Sequence, residues 1–156
     1  MTLWCGDERL VLASQSRARR MLLENAGLAC EAVPADIDER ALQSEAGLVA
    51  PYEIALHFAQ AKARAVSAAK PNCYVVGADQ TLALGERMFN KPAGRQQAMQ
   101  QLLALAGRTH ALHSAIAVVR NGEVAEWLKA PHSKCGIRAT VSGVRIPPSP
   151  PCKWYM

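Results

Sequence analysis

The sequence predicts a single α/β domain in which helices flank a mixed central sheet. Short apolar runs that are typical of buried strands alternate with segments of helical periodicity as far as Gly122. Two turn sequences, Gly85-Glu86 and Asn121-Gly122, predict hairpins, which add antiparallel strands to the sheet. Half of the 156 residues are hydrophobic, which is enough to form a core. The expected order is β-α-β-α-β, a hairpin, then α and β.

The first half of the domain begins with a strand over residues 10–13, which ends at the turn Ser14-Gln15-Ser16. A helix of about ten residues is expected next, because apolar residues share one face and Gly27 is a suitable residue to end it. Residues 28–33 predict a second strand. The polar and acidic residues 34–48 predict a loop with room for one helical turn.

The second half begins at Pro51, in a position where proline is tolerated at the start of a helix. Apolar residues recur at helical spacing until Pro71, and residues 73–78 predict a buried strand that ends at Asp79. Another helix ends at Gly107. Residues 109–119 predict the strand that leads into the Asn121-Gly122 turn.

The charge is unevenly distributed along the chain. Residues 1–122 carry 13 basic and 11 acidic residues, a net charge of +2, whereas residues 123–156 carry 5 and 2, a net charge of +3. Five of the nine prolines also lie after Gly122, where they remove donors that a strand needs. We therefore expect two parts: an incomplete domain over residues 1–122 and an unrelated, proline-rich basic tail over residues 123–156.

The tail has a second unusual property. Ala125-Glu126-Trp127 and residues 143–147 resemble the translation of the D and T arms of a serine transfer-RNA gene. This resemblance predicts that the reading frame leaves an interrupted gene after the hairpin turn. The strand before the turn would then have an unpaired edge.

Several classes of protein are disfavoured. No run of 18 or more apolar residues suggests a membrane span, and the first residues carry acids where a signal peptide carries a basic region, so we expect a cytoplasmic protein. The motifs G-x-x-x-x-G-K-[ST], G-x-S-x-G and H-E-x-x-H are absent from the sequence. A nearly neutral body suits a small anionic ligand better than a nucleic acid duplex.

The turn after the first strand is the first candidate site. Ser14 and Ser16 supply hydroxyl groups, and Arg19 lies in the first turn of the following helix. Free N–H groups at a helix N-terminus bind phosphate, and an anion there would offset the unfavourable position of arginine near the positive end of the helix dipole. The alternative is a capped helix with a solvated basic edge.

Other polar residues are ambiguous when each is taken alone. Asp79 at a strand end suits a metal ligand or catalytic acid, but a lone aspartate in that position is more often a turn or cap residue. The acidic cluster that ends at Glu39 is either a cation site or a solvated loop. Lys62 and Lys91 are both compatible with surface lysines.

Taken together, these residues resemble the Maf (septum formation) family over residues 10–122. The motifs that carry the resemblance, in order, are Leu12-Ala13-Ser14-Gln15-Ser16 with Arg19, Gly77-Ala78-Asp79-Gln80, Asn90-Lys91-Pro92 and Ala106-Gly107-Arg108-Thr109-His110. The resemblance implies a fold like that of the inosine triphosphatases and a cytoplasmic hydrolase that converts nucleoside triphosphates to monophosphates and pyrophosphate. It also implies that the chain lacks the C-terminal portion of that fold.

The resemblance also implies a role for each candidate residue. Asp79 would be the catalytic carboxylate, and Glu39 and Asp79 would hold a divalent cation, Mg²⁺ or Mn²⁺. The residues that would contact the phosphates of a nucleoside triphosphate are Ser14, Ser16, Arg19, Lys62 and Lys91. A homodimer is the protein partner that the family implies.

Two departures bear on these expectations. The family usually has Ser-Pro-Arg-Arg where this chain has Ser16-Arg17-Ala18-Arg19, and Gln80 stands where many members have threonine. The glutamine resembles the branch that acts on 7-methyl-GTP rather than on dTTP and UTP. Two alternatives stay open: an inactive remnant of such an enzyme, and a basic nucleic-acid-binding module.

Overall fold

The computed structural model describes residues 8–132, with side chains described as far as residue 125. The elements are β1 (Leu10–Leu12), α1 (Arg17–Asn25), β2 (Glu31–Ala32), α2 (Glu39–Ala46), α3 (Pro51–Ala69), β3 (Tyr74–Leu84), β4 (Arg87–Phe89), α4 (Arg95–Leu105), β5 (Ala111–Arg120) and β6 (Glu123–His132).

These strands form one six-stranded sheet in the order β2-β1-β3-β5-β6, with β4 also paired to β3. The pairs β1–β2 and β1–β3 are parallel, whereas β3–β4, β3–β5 and β5–β6 are antiparallel. The predicted fold class, a mixed sheet with helices packed on it, is confirmed.

The core lies between this sheet and α3. Alternate residues of β3 and β5 point toward the helix, so that Val75 and Val119 are fully buried. Burying an aliphatic side chain of this size contributes about 1.5–3 kcal/mol. Three of the seven buried residues of α3 are alanines, and the helix approaches the sheet closely: a Cβ added at Gly77 would overlap the carbonyl oxygen of Ala59. The helix α3 therefore packs unusually close to the centre of β3.

The turns confirm the glycine positions that the sequence predicts. Gly27 has φ 74°, and the N–H of Leu28 donates to the carbonyl of Leu23 at 2.9 Å, so α1 ends in a Schellman motif. Asn121 and Gly122 have φ 51° and 83°, as a two-residue hairpin turn with two left-handed residues requires.

Two element predictions are wrong. Residues 34–48 are not merely a loop, because they contain α2, which Asp38 caps with hydrogen bonds from the N–H groups of Arg40 and Ala41, and which ends at left-handed Gly47. The strand predicted to end at Asp79 instead continues through Leu84, because it pairs with β5 along residues 75–83.

The expectation of an unpaired β5 edge is also wrong. Glu123–His132 forms β6, which pairs antiparallel with β5 from Leu112 to Arg120. Pro131 is compatible with this strand because β6 is the last strand in the sheet order, where one side needs no donor. Residues 133–156 lie outside the described residues, and the division of the chain at residue 122 stays a prediction.

No helix within residues 8–132 is both long and apolar enough to cross a membrane.

Candidate functional site

The candidate site is at a gap along one edge of β3. β1 pairs with β3 up to Leu12 opposite Val76, and β4 pairs with the same strand from Phe89 opposite Leu82. Within the described chain, no strand pairs with residues 77–81 along this edge. Since β1 runs parallel to β3 and β4 runs antiparallel to it, the segments that follow both strands converge on the gap.

Asp79 occupies the middle of this gap, three residues from each end. The sequence predicts Asp79 at the end of its strand. In the structure it lies within β3, beside the end of β1. This preserves the physical basis of the prediction, because β1 stops and leaves room for a ligand where β3 continues.

The segment after β1 places two hydroxyl groups and one guanidinium group together. The Ser16 hydroxyl caps α1 by accepting a hydrogen bond from the N–H of Arg19 at 3.4 Å. Ser14 is buried, and its hydroxyl accepts from the N–H of Ser16 at 3.1 Å and from Nη1 of Arg19 at 3.3 Å. These contacts hold Arg19 over the helix N-terminus, where anions are favoured.

The other arginines of this turn do not join the site. Arg17 is exposed, and Arg20 is bonded to Glu24 at 2.7 Å on the outer face of α1. Only Arg19 faces inward, because it is three residues from the Ser16 cap and returns to that side of the helix.

Lys62 and two carboxylates form the second part of the site. The Nζ atom of Lys62 lies 2.5 Å from Oδ1 of Asp79 and 2.7 Å from Oε1 of Glu39. The Lys62 side chain is 14% exposed and that of Asp79 is 11% exposed, whereas Glu39 is 49% exposed. Lys62 comes from α3, Asp79 from β3 and Glu39 from the first turn of α2, so this cluster joins three elements.

Burial raises the pKa of Asp79 above its usual value of 3.8. The hydrogen bond and positive charge of Lys62 act in the opposite direction, Glu39 raises the pKa further, and Arg19 lowers it. Desolvation outweighs the neighbouring cations. A carboxylate with a raised pKa is a better proton acceptor than an ordinary aspartate, which is a property of catalytic bases.

A cavity of about 340 Å³ opens between the turn that contains Ser14, Ser16 and Arg19 and the cluster around Lys62. Five of the seven residues that the sequence predicts as site residues line it: Ser14, Ser16, Arg19, Lys62 and Lys91. The remaining two, Glu39 and Asp79, contact its wall through Lys62. Lys91 reaches the cavity because it follows β4 into the gap.

Sequence reasoning missed two contributors. Gln15 also lines the cavity, and the available signal was its place between Ser14 and Ser16 in one turn. Gly77 contributes by allowing α3 close to β3, which brings Lys62 within reach of Asp79. The role of Gly77 is visible only in the packing of α3 against β3.

The acidic cluster contributes a single residue. Asp36 is exposed, and Asp38 is used to cap α2, which leaves Glu39 as the only member in contact with Lys62. Within residues 8–132 no group of three or more histidine, cysteine, aspartate or glutamate side chains is arranged to hold a metal ion.

Comparison with known proteins gives the family. Residues 9–141 match the family model of Maf-like proteins. This chain belongs to the Maf-like family. Of the motif residues that suggested the family from sequence, Ser14, Ser16, Arg19 and Lys91 line the cavity, and Asp79 lies behind Lys62.

Two relatives of this Maf-like chain are informative. It is 62% identical over 123 residues to the "Nucleoside triphosphate pyrophosphatase" of Rhodopseudomonas palustris strain BisB18, an alignment that covers 79% of this chain and 61% of the relative. It is 52% identical over 120 residues to the "7-methyl-GTP pyrophosphatase" of Mesorhizobium japonicum, with 75% and 60% covered. The Maf-like chain thus spans about 60% of the length of the relatives it matches.

A solved structure supports the fold. A HAM1 protein from Coxiella burnetii superposes with a TM-score of 0.52 over 81% of the Maf-like chain and 70% of that protein, at 18% sequence identity. At this identity the likeness is one of fold alone.

Proposed function

We propose that this Maf-like chain is a nucleoside triphosphate pyrophosphatase, which hydrolyses its substrate to a nucleoside monophosphate and pyrophosphate. The observation that carries the proposal is the convergence of Ser14, Ser16, Arg19, Lys62 and Lys91 on one cavity beside a buried aspartate. Three cationic groups and two hydroxyls around about 340 Å³ suit a triphosphate better than a neutral ligand.

The phosphate groups bind first to the α1 corner. Arg19 and the free N–H groups of the first helical turn donate to phosphate oxygens, while Ser14 and Ser16 fix the position of the corner. Lys91 approaches from the opposite side of the cavity. Lys62 is the central cation, since it is held by Asp79 and Glu39 and also faces the ligand.

Asp79 then accepts a proton from the attacking water. The water oxygen bonds to the α-phosphorus, the α–β anhydride bond breaks, and pyrophosphate leaves with the charge that Arg19, Lys62 and Lys91 neutralise. Raising the pKa of Asp79 helps this step, because a carboxylate of ordinary pKa binds the proton of water too weakly.

The carboxylates of Glu39 and Asp79 fit a divalent cation. Both have an oxygen within 2.7 Å of the same Lys62 nitrogen, so the two carboxylates lie close enough together to share one cation. One or two carboxylates plus substrate phosphates is the usual way in which proteins hold Mg²⁺. When bound, Mg²⁺ or Mn²⁺ would supply further neutralisation of the phosphate charge.

Within the nucleoside triphosphates, 7-methyl-GTP is the specific substrate to be considered. Gln80 and the relative named as a 7-methyl-GTP pyrophosphatase favour that nucleotide, whereas the relatives at 62% identity are named only for nucleoside triphosphates. A second candidate function is nucleotide binding without turnover, which the experiment below distinguishes from hydrolysis.

Pyrophosphate release tests the proposal. Purified chain is incubated with 7-methyl-GTP, GTP, dTTP and UTP, each with Mg²⁺, with Mn²⁺ or with a chelator. We expect cation-dependent release that the Asp79→Asn variant loses by about a thousandfold or more. The matched control is Asp36→Asn, which removes an exposed acid of the neighbouring loop and leaves turnover unchanged. Absence of turnover with every nucleotide, while nucleotide still binds, would establish the binding-only alternative.

A further inference from the structure

The backbone of β3 presents an open hydrogen-bonding edge inside the candidate site. The carbonyl of Val76 accepts from the N–H of Ala13 at 2.8 Å, and the N–H of Tyr74 donates to the carbonyl of Arg9 at 3.2 Å, so both residues direct their backbone groups toward β1. Alternate residues of a strand point to the same edge. Because β3 pairs with β5 without a register shift from residue 75 to 83, Ala78 and Gln80 direct their N–H and C=O groups the same way.

These four groups face the gap rather than a strand. β1 ends opposite Val76 and β4 begins to pair at Leu82, so within the described chain neither strand covers Ala78 or Gln80. Ala78 is half-buried and Gln80 is exposed, so neither residue is fully closed off from solvent. A strand edge with free donors and acceptors in register is a template for any partner with a matching polar edge.

The side chains on the two sides of this edge have different chemistry. Asp79 points toward α3, where it contacts Lys62. Gln80 points to the opposite face of the sheet, where its amide Nε2 donates to the Ser114 hydroxyl at 2.9 Å. A single ligand can contact both side chains only by crossing the strand edge, and the edge is open only between residues 77 and 81.

We propose that a nucleotide crosses β3 through this gap, with its phosphates on the Asp79 face and the polar edge of its base bonded to the backbone N–H and C=O groups of Ala78 and Gln80. This inference rests on the proposed function and specifies how the base is held. The edge supplies both donors and acceptors, which are what the ring N–H and C=O groups of guanine, uracil or thymine require. Ser114 orients the Gln80 amide beside the base and is a positioning residue.

Amide hydrogen exchange measured by NMR tests the proposal. The full chain is compared alone, with inorganic tripolyphosphate, with an abasic ribose triphosphate, and with α,β-methylene analogues of GTP and UTP. We expect the analogues to slow exchange of the Ala78 and Gln80 amides by at least about tenfold, since a hydrogen bond to the base protects them. The matched controls are the Gly77 and Asp79 amides, which face β5 and are slow in every sample.

The other outcomes contradict either the base-binding proposal alone or the proposed function as well. If the analogues shift the Arg19 resonances but leave the Ala78 and Gln80 amides unchanged, the base lies elsewhere and the proposed function survives. Slowed exchange with tripolyphosphate or the abasic compound alone overturns the assignment to the base. If no ligand perturbs any of these residues, both the proposed function and this inference fail.

Two substitutions extend the test to the side chain. Gln80→Ala is expected to change the ratio of dissociation constants for the GTP and UTP analogues by about 2–10-fold, the value of one hydrogen bond, while leaving tripolyphosphate affinity within about twofold. Leu82→Ala, on the same face but beside β4, is the control and leaves the ratio unchanged. An unaltered ratio in Gln80→Ala would remove the glutamine from base recognition.

Discussion

Asp79 is the residue at which stability and chemistry oppose each other. Burial raises its pKa, although Lys62 donates a hydrogen bond to it and Arg19 lies close enough to lower the pKa. The protonated form is therefore favoured in the folded chain relative to the unfolded chain. Proton binding by Asp79 stabilises the fold, and ionisation of Asp79 at neutral pH costs stability.

This cost predicts a specific dependence of stability on pH. Asp79 contributes most below the unfolded pKa of about 3.8, and its contribution is lost as the pH rises through the higher folded pKa. The Asp79→Asn variant, which has no charge to lose, should therefore gain stability relative to the parent chain over that rise and keep the gain at neutral pH. Urea unfolding at several pH values measures the difference. A difference that shrinks as the pH rises would contradict the raised pKa.

The same residues show what a sequence can and cannot reveal. Ser14, Ser16 and Arg19 share one turn, so their proximity follows from local geometry. Lys62 and Asp79 are 17 residues apart and meet only because α3 packs across β3, a contact that no local pattern encodes. Their pairing could be expected from the family resemblance but not from the spacing of the residues.

At the scale of elements, the approach of α3 to β3 decides whether the site forms. Gly77 has no side chain, and the space that a Cβ would need is occupied by the carbonyl oxygen of Ala59 and by Ala63. Any residue larger than glycine must push the helix away from the strand. Such a shift would also move Lys62, which lies one residue from Ala63.

Gly77→Ala should consequently destabilise the chain by about 1–3 kcal/mol or more, as overpacking of a core does. The obstruction is backbone, so it cannot be relieved by a change of rotamer. Gly94→Ala is the control, because nothing lies within 4 Å of a Cβ at that position and only a helix-capping effect of about 1 kcal/mol is expected. Chemical denaturation compares the two. Equal, small losses would mean that α3 can move away from β3 freely.

The sequence predicts best those elements that begin or end at a glycine, asparagine or proline with a characteristic backbone conformation. Gly27 and Asn121-Gly122 mark turns through their left-handed backbone, and Pro51 marks the start of α3. The elements that were predicted poorly depend on partners. α2 is longer than the one helical turn that the sequence predicts, and β3 is longer than predicted because its partner β5 lies far along the chain.

At the scale of the whole molecule, several apolar side chains are exposed to solvent. Leu102 and Leu103 of α4 are 69% and 71% exposed, and Leu22 of α1 is 69% exposed. Neither helix contains a buried residue within the described chain. Exposed apolar surface of this kind favours association.

We expect the chain to associate as a homodimer through α4, in keeping with the family resemblance. Leu103→Glu should then shift the mass measured by light scattering toward that of the monomer, because it places a charge in the apolar surface. Gln96→Glu, a charge change on an exposed residue of the same helix, is the control. A parent chain that is monomeric at every concentration would contradict this expectation.

The central claim is that groups from distant parts of the chain bind one polyphosphate. Calorimetric titration with inorganic tripolyphosphate, without added divalent cation, measures this directly in the parent chain and in the variants Arg19→Ala, Lys91→Ala and Arg17→Ala. We predict that the first two variants each weaken binding by about 10–100-fold, the value of one hydrogen bond to a charged group, and that Arg17→Ala, in the same helical turn as Arg19, has little effect. Equal losses in the Arg17 and Arg19 variants, or unchanged affinity in Lys91→Ala, would contradict a shared site.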